Sequence, residues 1–320
     1  MTELSWYILF GAFVLDMALG DPRWLPHPII WMGNAISFFE PRFRKWVKNP
    51  LVAGGCFAIF LIGITALLST GGVALALWIH PVLGALVQGI LLFYCFSVRS
   101  LVTAAREVSR PLMAGDLAQA RRMVGMIVGR ETHSLDGPAV TRATVETVAE
   151  NFVDGFLSPL CFALVFGVPG ALTYKMINTL DSMVGYRNEK YILFGRVAAR
   201  MDDVANFIPA RISVLVISLA AAIVSPIRGR RALETAWAEG RAHKSPNAGF
   251  PEASFAGALG VRMGGPNVYH GEVVEKPHIG SRFPEAGLGK IDRACELMVV
   301  SALVGIVAAC ISSVLAGGLI

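Results

Sequence analysis

From residue 49 to residue 98 the chain contains no Asp, Glu, Lys or Arg. At about 1.5 Å per residue, one helix of that length would extend roughly 75 Å. The hydrocarbon core of a bilayer is only about 30 Å thick. A single span cannot use the run, so it predicts a helical hairpin turning either at residues 69–72 or at His80–Pro81. Composition extends the same constraint to the whole chain. Of the 320 residues, 54% are hydrophobic and 16% charged, against about 25% charged in a soluble domain. This excludes charge-rich disorder and a small disulfide scaffold, and it argues against a cytosolic globular enzyme.

Further spans are expected at about residues 4–20, 207–224 and 295–318. Residues 156–174 are apolar but interrupted by Pro159, Gly167, Pro169 and Gly170. This pattern predicts a broken or re-entrant helix, allowed at membrane depth where protein buries it or it lines a cavity. The first apolar stretch has no basic segment before it and no small-residue cleavage site after it, which favours an anchor over a cleaved signal. The expected fold class is all-α: a polytopic helical integral membrane protein, one domain over 1–320, with a Gly/Pro-rich polar cap at 225–294.

Net charge is +5. In a membrane chain excess Lys and Arg mark cytoplasmic loops, so the charge does not indicate nucleic acid. Arg42, Arg44, Lys45 and Lys48 precede the hairpin, and an Arg-rich stretch from Arg99 to Arg142 follows it. Both can be cytoplasmic with the hairpin turn outside. Cys56, Cys95, Cys161, Cys295 and Cys310 lie far apart in apolar runs, as small buried hydrophobes do.

The polar residues concentrate in a few segments. Glu146, Glu150 and Asp154 recur at steps of four, one face of a helix that starts near Asp136–Pro138; Asn151 lies beside them. On a solvated face such a stripe is ordinary. Here it runs into an apolar segment, where carboxylates are costly unless paired or metal-bound. In residues 175–184, Lys175, Asn178, Asp181 and Ser182 fall within about a third of the helical circumference at roughly 100° per residue. Arg187, Asn188, Glu189 and Lys190 follow. Oxygen ligands suit Mg²⁺, and Arg and Lys suit phosphate oxygens, so the segment holds the parts of a Mg-nucleotide site. An interfacial amphipathic helix would look similar. Next come Arg196, Arg200, Asp202, Asp203, Asn206 and Arg211, either a second metal or phosphate contact or Arg–Asp pairs that stabilise a helix end. Asp21 and His27 sit in a Pro-rich turn after the first span. Asn247, Gly249, Gly264 and Gly265 belong to Gly/Pro-rich turns that could offer backbone donors to an anion. No Walker A, zinc, Ser-His-Asp or Rossmann pattern is present.

These segments together resemble the cobinamide-phosphate synthase family of cobalamin biosynthesis, over nearly the whole chain. The resemblance rests on Asp16 with GDPRWLPHP (20–28), ENFVDGFLSP (150–159), NTLDSMVGYRNEKYILFG (178–195), ARMDDVANFIPAR (199–211), SPNAGFPEASFAGALGV (245–261), GGPNVYHG (264–271) and KPHIG (276–280). It implies a cytoplasmic-membrane ligase with its active site on the cytoplasmic side. Such an enzyme joins aminopropanol, or its O-phosphate, to a propionate of adenosylcobyric acid, driven by ATP with Mg²⁺. Its partners would be this corrinoid, the amine, the lipid bilayer and other cobalamin-assembly enzymes.

Under that resemblance Asp154, Asn178, Asp181 and Asp203 are expected to hold Mg²⁺. Lys175, Ser182, Arg187, Asn188, Lys190 and Arg200 would contact phosphates. Glu150 or Glu189 would accept the amine proton, completing a catalytic set with Asp154, Lys175 and Asp181. Asp21, His27, Asn151, Asn247, Gly249, Glu252, Gly264 and Gly265 would contact the organic substrates. A membrane transferase with a diphosphate or CDP-alcohol donor would also use acidic helix faces, but usually as repeated Asp motifs. A sensor without activity would be expected to lose the polar motifs, which are intact here. A transporter would carry its charges in mid-span, whereas these gather beside loops.

Overall fold

Among the described residues, a capping side chain with proline in the first turn starts four of the helices. A computed structural model describes residues 4–21, 26–186, 188–269 and 272–317. In chain order its helices begin with α1 (Trp6–Leu19), α2 (Pro28–Trp46), α3 (Pro50–Ile79) and α4 (Pro81–Phe93). They continue with α5 (Val98–Met113), α6 (Leu117–Gly125), α7 (Gly137–Phe152), a π turn (Val153–Leu157) and α8 (Ser158–Val184). The last are α9 (Arg196–Ala205), α10 (Phe207–Val224), α11 (Pro226–Glu239), α12 (Gly249–Leu259) and α13 (Lys290–Gly317). His27, Asn49, His80 and Asp136 cap α2, α3, α4 and α7 by accepting backbone N–H bonds, each with proline in the first turn. The side chain satisfies an orphan donor, and proline supplies a pre-set φ where its missing N–H costs nothing.

The hairpin therefore turns at His80–Pro81, the second of the two positions open to the sequence. Its first arm is a 30-residue helix. Among the described residues five helical runs are long and apolar enough to cross a membrane: Pro50–Ile79, Pro81–Met113, Gly137–Val184, Phe207–Val224 and Lys290–Ala316. The chain is a multi-pass helical membrane protein. Its exposed apolar side chains fit that environment: Leu67 and Leu68 on α3 and Leu215 and Ile223 on α10 are each about two-thirds exposed or more, which lipid tolerates and water does not.

Two expectations change in detail. The N-terminal apolar segment forms a helix of 14 residues, about 21 Å long and short of the hydrocarbon thickness. The interruption expected in 156–174 falls at Gly167, whose φ of 70° breaks α8 just before Pro169. Only glycine adopts that φ at little cost, and proline two residues on removes a ladder donor.

By their contacts the residues gather into two compact units. Unit 1 comprises residues 1–97, 154–206 and 306–320. Unit 2 comprises 98–153 and 207–305. In unit 1, α3 packs against α2, α4, α8 and α9, and α1 packs on α4. In unit 2, α12 packs against α7, α10 and α11. The segment expected as a polar cap loop holds α11, α12 and two short antiparallel ladders. These pair β1 (Met263–Gly264) with β4 (His278–Ile279), and β2 (Asn267–Tyr269) with β3 (Glu272–Val274). Helix α12 is buried along nearly its whole length, so its Gly- and Ala-rich composition reflects close packing rather than a loop.

Candidate functional site

Each unit carries a cluster of buried polar groups. In unit 1 the cluster is built by helix spacing. Tyr174 and Asn178 are one turn apart on α8, with Lys175 beside them; Asp202 and Asn206 are one turn apart at the end of α9. Residues four apart share a helix face. The π turn contributes Asp154. Asn178 Nδ2 lies 3.3 Å from Asp154 Oδ2 and 3.4 Å from Asp202 Oδ1, so one amide bridges two carboxylates. Asn206 Nδ2 donates to the other oxygen of Asp202 at 3.0 Å. Its Oδ1 accepts from Ser158 Oγ at 2.6 Å and from Tyr174 Oη at 2.9 Å. Lys175 Nζ is 3.4 Å from the Asp154 carbonyl, and the charges of Asp154, Asp21 and Asp202 reach it.

Among the described residues no Lys, Arg or His lies within ion-pair distance of the Asp202 carboxylate. Burial pushes its carboxyl above the ordinary range, and the Asp203 charge adds to the shift. The two amide bonds and the Lys175 charge oppose it. The account follows the usual physics: desolvation disfavours the ionised form, while donors and cations favour it.

In unit 2, Glu146 of α7 is buried and multiply held. One carboxylate oxygen is bonded to Arg130. The other accepts from Gly264 N at 2.7 Å, with Arg142 Nε at 3.9 Å. Arg130 also donates to Asn267. Glu252 of α12 is buried, and burial together with the Glu146 and Glu150 charges holds its carboxyl well above the ordinary range. His243 Nδ1 accepts from Ser245 N at 3.0 Å, which puts the neutral ring's proton on Nε2, 3.9 Å from Glu252 Oε1. Burial, with Lys276 nearby, lowers the His243 pKa.

The residues singled out in the sequence are dispersed among these groups and others. Asp154, Lys175 and Asn178 meet in the unit 1 cluster. Their carboxylate partner is Asp202, whereas Asp203 pairs with Arg200 at 3.3 Å. Asp181 is one turn beyond Asn178, its carboxylate folded over the Cα of Gly185, where a Cβ would lie 2.0 Å from Oδ1. Ser182 Oγ donates to the Thr179 carbonyl, and Asn188 Oδ1 caps the turn at Tyr191 N. Lys190 Nζ sits 3.3 Å from Glu40. Glu189 is exposed. Arg187 lies outside the described residues. Asp21 and His27 meet at 3.3 Å. In unit 2 Glu150 is exposed, and Asn151 Nδ2 donates to the Thr147 carbonyl at 3.0 Å. Asn247 Oδ1 accepts from Arg211 at 3.3 Å. Gly249 packs on the Gly240 backbone, and Gly265 packs beside the His278 ring.

Sequence reasoning passed over Tyr174, Ser158, His243 and Glu40 as site residues. Tyr174 and Ser158 looked like parts of an apolar run. Glu40 meets Lys190 and Tyr191 through contacts across more than a hundred residues, with Tyr191 Oη 3.2 Å from Glu40 Oε2.

A multi-pass helical membrane protein with buried acid–amide clusters is a broad class, and comparison with known proteins narrows it. The model of the CobD/CbiB protein family matches residues 9–298. The chain is 46% identical over 304 residues to the cobalamin biosynthesis protein CobD of Klebsiella pneumoniae, covering 94% of each chain. It is 48% identical over 280 residues to the CobD protein of Geobacter metallireducens, covering 88% of this chain and 87% of that one. It is 45% identical over 304 residues to the cobalamin biosynthesis protein CbiB of Salmonella typhimurium, covering 94% of each. No solved structure matches. The chain belongs to the CobD/CbiB family of cobalamin biosynthesis proteins.

Proposed function

We propose that the protein is an ATP- and Mg²⁺-dependent amide ligase. It joins (R)-1-aminopropan-2-ol, or its O-phosphate, to a propionate carboxylate of adenosylcobyric acid, giving adenosylcobinamide or its phosphate. Family membership over nearly the whole chain supports the pathway. The observation that carries the chemistry is the pair of carboxylates, Asp154 and Asp202, joined by one amide beside Lys175.

A carboxylate and an amine do not condense unaided at neutral pH. In the proposed route the propionate oxygen attacks the γ-phosphorus of ATP, ADP leaves, and an acyl phosphate forms. The amine nitrogen then attacks the acyl carbon, the phosphate leaves with the C–O electrons, and a base takes the amine proton. Catalysis consists mainly of holding the reactants in line and compensating phosphoryl charge.

Among the described residues no three His, Cys, Asp or Glu side chains form a metal cage. Mg²⁺ does not need one, since it commonly takes one or two carboxylates and completes its shell with water and phosphate. Asp154 and Asp202 fit that donor set and would hold the ion, which would neutralise charge on the nucleotide phosphates. Asn178 spaces the two carboxylates, and Asn206 with Tyr174 fixes the orientation of Asp202. Lys175 would sit toward the transferring phosphoryl group. Asn247, Glu252 and the Gly264–Gly265 turn of unit 2 are proposed to recognise the organic substrates. ATP as the driving reagent puts the chemistry on the cytoplasmic face.

The test is turnover of adenosylcobyric acid by the purified protein with each amine, with and without ATP and Mg²⁺. Product formed only with both, with stoichiometric ADP, supports the reading. Product formed without ATP would overturn it.

A further inference from the structure

Beside the unit 1 cluster, the stretch between the helical runs ending at Val184 and beginning at Phe207 folds around a pocket of about 400 Å³. Two tyrosines, Tyr186 and Tyr191, line it with ring centroids 6.4 Å apart. Leu193 adds apolar wall, and Arg196 and Arg200 stand one turn apart on α9. The Tyr191 phenol is tethered from outside: it accepts from Lys190 Nζ at 2.6 Å and donates to Glu40 Oε2 at 3.2 Å. Asp203 also lines the pocket, while its neighbour Asp202 belongs to the carboxylate cluster. One helix thus carries the pocket on one face and the cluster on the adjacent face.

We propose that this pocket binds the nucleoside triphosphate, with the purine on the tyrosine rings and the phosphates along Arg196 and Arg200 toward Asp202. The proposal rests on the ligase reading and adds the location of the nucleotide. Three properties favour this ligand. The volume lies in the range of small-molecule sites, about 300–1,000 Å³, whereas a corrinoid with its side chains is far larger than the cavity. An aminopropanol phosphate is small and has no ring to use the aromatic walls. Guanidinium pairs match phosphate oxygens bidentately, and aromatic faces stack on any base. The Arg200–Asp203 ion pair is exposed and so contributes little on its own, which leaves Arg200 free to turn to phosphate at small cost.

The experiment is the affinity of the full-length protein in nanodiscs for Mg-AMP-PNP, measured calorimetrically, together with steady-state kinetics. Arg196 and Tyr186 are exposed, so truncating them does not empty a core. Arg196→Ala and Tyr186→Ala should each weaken AMP-PNP binding about tenfold or more. Both should raise KM for ATP and leave KM for adenosylcobyric acid unchanged. Tyr186→Phe keeps the ring and should bind as the wild type does. Wild-type affinity in both alanine variants would overturn the pocket assignment and leave the ligase reading standing. Failure of the wild type itself to bind Mg-AMP-PNP would overturn both.

Discussion

The surroundings of Asp202 make its ionisation costly. The residue is half-buried and held by two amides, with no cation within ion-pair distance among the described residues. Because burial raises its folded-state pKa above the unfolded value, the folded chain holds this proton more tightly. That contribution to stability is complete below the unfolded carboxylate pKa and is lost as pH rises through the folded one. Ionisation of Asp202 therefore opposes folding. Under the proposed Mg²⁺ role, Asp202→Asn should raise the melting temperature at pH 7, abolish any Mg²⁺-dependent rise in melting temperature, and lower turnover about 100-fold or more. A variant that melts lower and turns over normally would contradict the role. The sequence pointed to Asp203 rather than Asp202 for the metal role; each has a polar partner about one turn away, and spacing alone does not tell which one faces inward. The rotation of α9 decides. Ala198 is buried, and Asp202 and Asn206 follow it at steps of four, so the inward face is 198, 202 and 206. Asp203 looks outward to Arg200.

At the scale of elements, Glu146 ties α7 to the β1 turn. Arg130 is as buried as its partner, with 7% side-chain exposure against 9% for Glu146. Removing the carboxylate charge leaves a buried guanidinium uncompensated. Glu146→Gln should cost about 3 kcal/mol, read as a lower denaturation midpoint; a loss under about 1 kcal/mol would show that the anchor is dispensable. Gly264 is the other half of the tie. Its φ is 74°, and a Cβ there would lie 2.1 Å from the Pro277 carbonyl oxygen. Gly264→Ala should cost at least about 1–2 kcal/mol from backbone conformation alone and loosen the β1–β4 pairing. Unchanged hydrogen exchange at Gly265 and Ile279 would contradict this. Legibility was uneven at this scale. His80–Pro81 was one of two turn positions open to the sequence, and its cap and proline are local signals that the structure uses. Helix α12 was not legible, because Gly249, Pro251 and Gly257 suggest turns. They form a helix because α12 packs closely: a Cβ on Gly257 would meet the Arg231 carbonyl oxygen at 2.3 Å.

Over the whole molecule, what the sequence conveyed best was solvent. An uncharged run too long for one span forces helices into lipid, and the exposed leucines and isoleucines of α3 and α10 are its structural counterpart. What it conveyed least was the division into two units, because each is assembled from separated stretches of chain. The same holds for the polar clusters: Asn178 and Asp202 meet only after α8 and α9 pack. The central claim, that this architecture serves ATP-driven amide formation, is tested most directly by one measurement. The purified protein in proteoliposomes is given adenosylcobyric acid, Mg²⁺ and ATP with aminopropanol or, separately, its O-phosphate, and corrinoid product and ADP are counted together. The account predicts one ADP per amide formed and no amide when ATP is omitted. Amide formation without nucleotide consumption, or ATP hydrolysis without any corrinoid product from either amine, would contradict it.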